Sequence, residues 1–394
     1  MQKTIKEVVT FSKIVPGGQA LGELENGKKV FAFGALAGET AEVALAKIKS
    51  HYVEGFVDNI LNPSPDRIEP KDACYLSTSP WQIMTIATET SLKLDLLNEV
   101  FQQHGINFTA KEIAGDNNFY YYRNKMEYSL YWDNERQKIY PAFHQRGTHR
   151  KLPIEHSSIE KPEIWTEVER IINELNDKKE QARDYQSIIV RANQAGQVSS
   201  GVLKKFNPHP KMALLTDQIM GRTFSYSPNG FFQINLPVYE MALIDIKNFI
   251  DNTNVVDMYA GVGSIGLSVA SDKSELKLIE TNKDAFRELE NNLALNPTLK
   301  AQAILAKAEE ALDYIEVDSS LIVDPPRAGL DKKVIERIIE VKPRQVAYLS
   351  CNPMTQARDI AHLLGDYQIQ TLKAFNFFPR TPHIESLCLI TRKS

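Results

Sequence analysis

Asn254-Val-Val-Asp257-Met-Tyr259-Ala-Gly261-Val-Gly263-Ser-Ile-Gly266 decides the reading of the carboxy-terminal half. A short β-branched run ends in an acid and passes into three spaced glycines. Glycines there let the backbone approach a ligand, and a helix opening within Gly263–Ala270 would present free N–H groups to it. The same rhythm continues downstream. Leu276–Glu280, Leu321–Val323 and Val346–Ser350 read as strands, with helices at Ala285–Leu295 and Lys333–Ile339 between them. Such alternation predicts an open, mostly parallel sheet that binds ligands at the C-terminal ends of its strands.

Three of those strand ends carry chemically useful groups. Glu280 ends the strand after the glycine loop, 14 residues beyond Gly266, where an acid can accept from both hydroxyls of a ribose. The glycine loop and Glu280 together indicate a nucleotide-type ligand, without separating a nicotinamide cofactor from S-adenosylmethionine. Leu321-Ile-Val-Asp324-Pro325-Pro326-Arg327 puts a carboxylate at a strand tip, followed by two prolines that keep the backbone extended. A rigid edge of this kind can wall a cofactor's reactive end and a flat base beside it, which points to a methyltransferase rather than a dehydrogenase. Tyr348-Leu-Ser350-Cys351-Asn352-Pro353 sets a thiol at the third strand end. Most such cysteines only pack, but the polar neighbours Ser350 and Asn352 favour a working thiol.

Two further stretches stand out. In Phe377-Phe-Pro379-Arg380-Thr-Pro382-His383-Ile-Glu385, Glu385 heads a terminal strand, Ser386–Thr391, with His383 two residues before it on the same side of any strand. A lone Glu is more often simply exposed. Ser227-Pro-Asn-Gly-Phe231-Phe232-Gln233-Ile-Asn235 couples adjacent aromatics to amides, suiting either a ligand contact or a hinge.

Upstream, residues 1–62 hold short β-type runs (Glu7–Phe11, Lys29–Phe33 and Glu42–Leu45) broken by Pro16-Gly17-Gly18 and Asn26-Gly27, the pattern of a small closed barrel. Seven lysines face seven acids there, so this unit exerts no net electrostatic pull. Residues 81–104 carry helical apolar spacing and stop at Gly105. The middle reads as α+β, with strands at Tyr120–Arg123, Glu127–Trp132, Ile139–Phe143, Ser187–Arg191 and Gln197–Ser200 and a helix at Glu163–Leu175. Between Tyr121 and Lys151, seven cations (Arg123, Lys125, Arg136, Lys138, Arg146, Arg150 and Lys151) interleave with aromatics, which suits single-stranded RNA or else an ordinary solvated sheet face.

A 394-residue chain predicts two or three domains. Its net charge of −4 counts against a simple nucleic-acid binder, so any RNA contact must be local. Three cysteines make no disulfide framework and suit a reducing, cytoplasmic setting. Neither a signal peptide nor a membrane span is legible.

In this order the motifs resemble the RNA 5-methyluridine methyltransferase family, over nearly the whole chain. FSKIVPGGQALG resembles the family's TRAM barrel, and YYYRNKMEYSL its central RNA-facing domain. SPNGFFQIN, DMYAGVGSIGLSVA, LIVDPPRAGL, YLSCNPMTQARD and FFPRTPHIES then follow in family order. The resemblance implies a multi-domain chain: a β-barrel at 1–62, an α+β RNA-recognition region at 63–230, and a Rossmann-like methyltransferase domain at 231–394. The helix of residues 81–104 would pack back on the last of these. It implies that Gln233, Tyr259, Glu280 and Asp324 contact S-adenosylmethionine, that Cys351 is the nucleophile and that Glu385 is the proton acceptor. The implied partner is RNA, ribosomal or transfer.

Related 5-methylcytosine enzymes carry a cysteine in the Asp-Pro-Pro region; here there is none, which favours uridine. Some relatives hold an iron–sulfur cluster on four cysteines, but only Cys74 stands in that region, so neither a cluster nor another metal is expected. The competing readings are a 5-methylcytosine or other RNA methyltransferase, and an RNA-binding factor without catalysis.

Overall fold

The computed structural model describes residues 5–148, 150–206, 210–251 and 253–394. Its first unit is a closed five-stranded barrel of β1 (Lys6–Ile14), β2 (Ala20–Glu23), β3 (Lys29–Phe33), β4 (Thr40–Ile48) and β5 (Tyr52–Asn62), in the order β1-β2-β3-β5-β4. Alternation along β1 and β3 sends Val9, Phe11, Val30 and Ala32 inward, and Val43 and Val53 complete the same core. Gly22 and Gly55 are required by this small circumference. A Cβ at Gly22 would lie 2.7 Å from the Thr10 carbonyl oxygen, and one at Gly55 would lie 2.9 Å from that of Ala44.

One short turn, α1 (Tyr75–Thr78), precedes the long helix α2 (Ile86–Gln103). The helix expected over 81–104 therefore begins five residues late. Thr85 caps it, accepting from the Thr88 N–H at 3.2 Å, while Trp81 is buried and its backbone N–H donates to Arg380 O at 3.0 Å. After β6 (Ile113–Ala114) comes an antiparallel sheet of β7 (Lys125–Asp133), β8 (Lys138–His144) and β9 (Lys151–Pro153). The helix α3 (Pro162–Asp177) covers it with Ile164, Val168, Ile171 and Leu175, and β10 (Tyr185–Ala192) and β11 (Val198–Lys204) finish it in the order β11-β10-β7-β8-β9.

Tyr120–Arg123 is not a strand of that sheet. Tyr121 adopts φ +55°, its N–H donates to Ser158 O, and the Tyr122 hydroxyl reaches Pro379 O at 3.0 Å. The segment bridges the middle sheet and the carboxy-terminal unit, and those tertiary bonds override its strand-like composition.

A hairpin of β12 (Leu215–Ile219) and β13 (Arg222–Tyr226) leads to α4 (Leu236–Phe249) and then to the third unit. This contains β14 (Asn254–Asp257), α5 (Gly266–Val269), β15 (Glu275–Glu280), α6 (Lys283–Leu295), β16 (Lys300–Leu305), β17 (Ser320–Val323), α7 (Lys332–Val341), β18 (Gln345–Ser350), α8 (Pro353–Leu363), β19 (Tyr367–Phe375) and β20 (Glu385–Arg392). The sheet order is β16-β15-β14-β17-β18-β20-β19-β6. From β16 to β18 the pairing is parallel, and β20 runs antiparallel to both β18 and β19. The strand order reverses at β14, and the crevice of such a sheet opens there. The helix after the glycines, α5, is a single turn of four residues.

What fixes α2 to this unit is ionic as well as apolar. Glu89, Lys93 and Arg380 are all fully buried. Glu89 accepts from the Arg380 backbone N–H at 2.8 Å and its guanidinium at 2.9 Å, and pairs with Lys93 at 3.0 Å. Lys93 also donates to Asn376 Oδ1 at 2.7 Å and to Phe378 O at 3.0 Å. Thus α2 grips the β19–β20 loop from end to end. Among the described residues, no helix is long and apolar enough to cross a membrane.

Removing the central acid strands two buried cations, so Glu89→Gln is expected to cost about 3–5 kcal/mol of folding free energy. Urea unfolding at neutral pH measures it; a loss within a few tenths of wild type would mean the cluster contributes little.

Candidate functional site

The β14–α5 loop is built around one carboxylate. Asp257, fully buried at the end of β14, accepts from Gly266 N–H at 2.9 Å, while its second oxygen has no hydrogen-bond partner among the described residues. Gly266 has to lack a side chain, since a Cβ would lie 2.8 Å from Leu278. Gly261 takes φ +56° with nothing within 4 Å of its missing Cβ, and its N–H donates to Glu280 at 2.8 Å. Burial pushes the Asp257 carboxyl up to about 7, the nearby Glu280 adding to it and the Gly266 and Tyr259 amides opposing it.

Beside this loop lies a cavity of about 1060 Å³ lined by Gln233, Tyr259, Glu280 and Asp324, with Gly261, Phe231 and Glu288. All four residues expected to bind a nucleotide-type cofactor therefore face one space. Glu280 already accepts from two backbone amides, Gly261 N–H and Asn282 N–H, the latter at 2.5 Å. Gln233 is held by its backbone: its carbonyl accepts from Asn124 Nδ2 at 2.9 Å. Arg191 on β10 was not singled out from sequence. Fully buried, it donates to Phe232 O at 2.5 Å and Gly230 O at 3.2 Å, which sets the whole 230–233 segment. A lone cation in a strand pattern gives no sign of this duty.

The thiol sits next door. Register pairs Ser350 of β18 with Ser386 of β20, so the next positions, Cys351 and Glu385, are neighbours across the strands. Gln356 of α8 bolts the two strands together there, donating to Tyr348 O at 2.8 Å and Ser386 O at 3.1 Å and accepting from the Ser386 hydroxyl at 2.5 Å. Asn352 and Thr355 hold Arg327 O at 2.8 and 3.2 Å, which brings the Asp-Pro-Pro-Arg turn against Cys351. Cys351 opens onto its own cavity of about 250 Å³ together with Arg327, Asn352 and His383. His383 lies before β20 rather than in it, so strand alternation does not pair it with Glu385; its ring centroid lies 5.5 Å from that of Phe378.

Electrostatically Cys351 and Glu385 are restrained. Burial pushes the Cys351 thiol up to about 11, the carboxyls of Glu385 and Asp324 add to that, and Arg327 opposes it. Burial also raises Glu385 well above the usual carboxylate range, Asp324 reinforcing and Arg327 opposing. Asp324 is itself raised to about 7 by burial and then by Asp257. Arg327 is thus the one cation acting on both Cys351 and Glu385 among these groups.

The basic middle segment is partly committed elsewhere. Lys125 donates to Asn229 O and Gly230 O, Arg146 to Leu76 O and Lys151 to Leu130 O. Arg136, Lys138 and Arg150 are exposed. Among the described residues no cluster of three metal-ligating side chains occurs.

Comparison with known proteins adds the family. Residues 214–393 match the model of the tRNA (uracil-5-)-methyltransferases. The match lies wholly within the carboxy-terminal half. Similarity to RNA methyltransferases extends along the rest. An uncharacterized RNA methyltransferase of Enterococcus faecalis is 27% identical, covering 92% of each chain, and one of Bacillus cereus is 25% identical over 98% of this chain and 96% of its own. The solved tRNA (uracil-54, C5)-methyltransferase of Pyrococcus abyssi, in complex with S-adenosyl-L-homocysteine, superposes with a TM-score of 0.77 at 19% identity, over 98% of this chain and 99% of that one. That likeness shows that the two proteins share their fold.

Asp257 carries a titration that stability measurements can read. Its folded value of about 7 lies above the ordinary value of about 4, so the folded chain keeps a proton that the unfolded chain loses. Its contribution is full below about pH 4 and is lost as pH rises through about 7. Melting temperatures between pH 5 and 7.5 should fall less steeply in Asp257→Asn than in wild type; parallel slopes would contradict the assignment.

Proposed function

We propose that this protein methylates carbon 5 of a uridine in structured RNA, transfer or ribosomal, using S-adenosylmethionine and a transient bond from Cys351 to carbon 6 of the base. The single observation that carries the reading is the cross-strand adjacency of Cys351 and Glu385, beside the ridge Asp324–Arg327 that lines both cavities. The family of residues 214–393 supports the reaction class. The absence of any cysteine in Asp324-Pro-Pro-Arg327 supports uridine over cytidine.

The large cavity fits the donor. Asp324 lies there as a carboxyl raised by burial, and a bound sulfonium supplies the positive charge that lets it ionise. Glu280 at the end of β15 is positioned to meet ribose hydroxyls, and Gln233 and Tyr259 to flank the remainder. When bound, S-adenosylmethionine provides an electrophilic methyl group.

Carbon 5 of uracil is a weak nucleophile. The Cys351 thiolate adds to carbon 6, and the ring's double-bond electrons move onto carbon 5 and oxygen 4 as an enolate. Carbon 5 would then take the methyl group as its bond to the donor's sulfonium sulfur breaks, the electron pair staying on sulfur to leave the neutral S-adenosylhomocysteine. Glu385, as carboxylate, removes the proton left on carbon 5; that electron pair restores the ring double bond as the sulfur–carbon bond breaks, returning the thiolate. Arg327, which opposes the effect of burial on both groups, favours the charged forms that this sequence needs. Three cysteines without disulfides suit the cytoplasm as the setting.

RNA carrying 5-fluorouridine should trap a covalent adduct at Cys351, because fluorine cannot leave as a proton. Cys351→Ala should form neither adduct nor 5-methyluridine; full methylation by this variant would end the proposal. Mass-spectrometric mapping of RNA from cells with and without the protein identifies the base and the RNA class. Glu385→Gln should form adduct and release it slowly.

With the resting thiol near 11, adduct formation under substrate-limited conditions should accelerate by up to about tenfold per pH unit across roughly pH 6–9. A flat rapid-quench profile would show that the thiolate is already present before RNA arrives.

A further inference from the structure

The barrel's charges balance, so it offers RNA no long-range attraction. Its geometry points to a different contribution. The Cys351 cavity is walled on the barrel side by Pro16 and Gly17, which belong to the turn between β1 and β2, and by Leu96 and Val100 of α2. We propose that the turn Pro16–Gly18 is a wall of the pocket that receives the target nucleotide, so that the barrel helps to position that nucleotide over Cys351. The inference rests on the uridine methyltransferase reading above and assigns it a further specificity element.

The turn is docked rather than loosely apposed. Gly18 N–H closes it on Val15 O at 2.9 Å, and Val15 N–H bonds Gln19 O at 2.9 Å. Gly18 is buried at φ +87°, and its carbonyl accepts from Trp81 Nε1 at 3.3 Å. A Cβ there would overlap Pro382 Cβ and lie 2.7 Å from Pro382 Cγ. Pro382 stands three residues before Glu385, in the loop that Glu89 and Lys93 hold through Arg380, Asn376 and Phe378. The barrel turn and the loop carrying the proposed proton acceptor are therefore fitted directly against each other. Gly17, at φ +94° with nothing within 4 Å of its missing Cβ, leaves room on the side of the turn that lines the cavity.

The pocket's chemistry suits a nucleotide. Pro16, Leu96 and Val100 give apolar surface for a flat ring, while Arg327 and Asn352 give donors for its polar edge or a phosphate. A base reacting at Cys351 must also face the donor cavity across Asp324–Arg327, and this fixes its orientation against the opposite, barrel-side wall.

Gly18→Val tests this by forcing the turn off Pro382. The matched control is Gly38→Ala, another barrel glycine at positive φ, +83°, with nothing within 4 Å of its missing Cβ and away from the cavity lining. The assay is labelled methyl transfer from S-adenosylmethionine to total RNA extracted from cells lacking this protein, with melting temperature and S-adenosylhomocysteine affinity measured alongside. Gly18→Val should lower kcat/KM for RNA about tenfold or more while leaving S-adenosylhomocysteine affinity at its wild-type value. Gly38→Ala should retain wild-type kcat/KM. Trp81→Phe, which removes the bond to Gly18 O together with part of a buried ring, should fall in the same direction by less, and with its melting temperature measured alongside it decides the matter should Gly18→Val not fold. Wild-type kcat/KM in the deciding variant, or an equal loss in Gly38→Ala, overturns the inference while the methyltransferase reading stands. Failure of the wild-type protein to form 5-methyluridine on any RNA would instead remove that reading, and the inference with it.

Discussion

The pairing of β18 with β20 is the constraint on which the rest depends. An antiparallel strand inserted beside a parallel set brings two distant stretches of chain to the same sheet rim, one ending in Cys351 and the other beginning at Glu385. Parallel neighbours alone would have offered only strand C-terminal ends to that rim; the reversed strand contributes its beginning. A one-residue slip in this register would turn one of the two side chains to the opposite face. Gln356 guards against it with bonds to both strands beside Cys351 and Glu385.

Around that pair, side-chain bonds to backbone groups hold the loops against an apolar core. Arg191 sets the segment bearing Gln233, Asn352 and Thr355 set Arg327, and Asp359 accepts from Leu330 N–H and the Tyr348 hydroxyl, both at 2.8 Å, behind the same turn. Gly329 follows from this crowding, since a Cβ would come within 2.5 Å of the Asp359 carboxylate. Loops that present chemistry are held by fixed donors and acceptors, so reactive groups arrive preoriented.

How far this was legible in the sequence varied with the cause of each element. Strands set by local alternation, such as Lys29–Phe33, were read with the bounds that β3 has. Gln233, Tyr259, Glu280 and Asp324, which the family resemblance placed at one ligand, do line one cavity; of these, Glu280 and Asp324 were also signalled locally by their strand ends. Elements defined by distant partners were missed or misread. Tyr120–Arg123 looks like a strand but is claimed by Ser158, Ile159 and Pro379. The hairpin Leu215–Tyr226 and the edge strand Lys300–Leu305 were not read at all, although Phe224-Ser-Tyr226 and Lys300-Ala-Gln-Ala303 alternate. The buried ions Glu89, Lys93, Arg191 and Arg380 look like surface charges in a linear chain, and only tertiary structure shows what they hold. Of the cationic segment, Lys125, Lys138 and Lys151 lie on strands of the middle sheet, while Lys125, Arg146 and Lys151 spend donors on backbone carbonyls.

The raised thiol of Cys351 has a consequence for the protein between turnovers. Peroxide and similar oxidants react with the anion of cysteine far faster than with the neutral group, and each step beyond sulfenic acid is difficult to reverse. A half-buried sulfur that keeps its hydrogen near neutral pH is therefore spared much of that damage, although it opens onto a cavity.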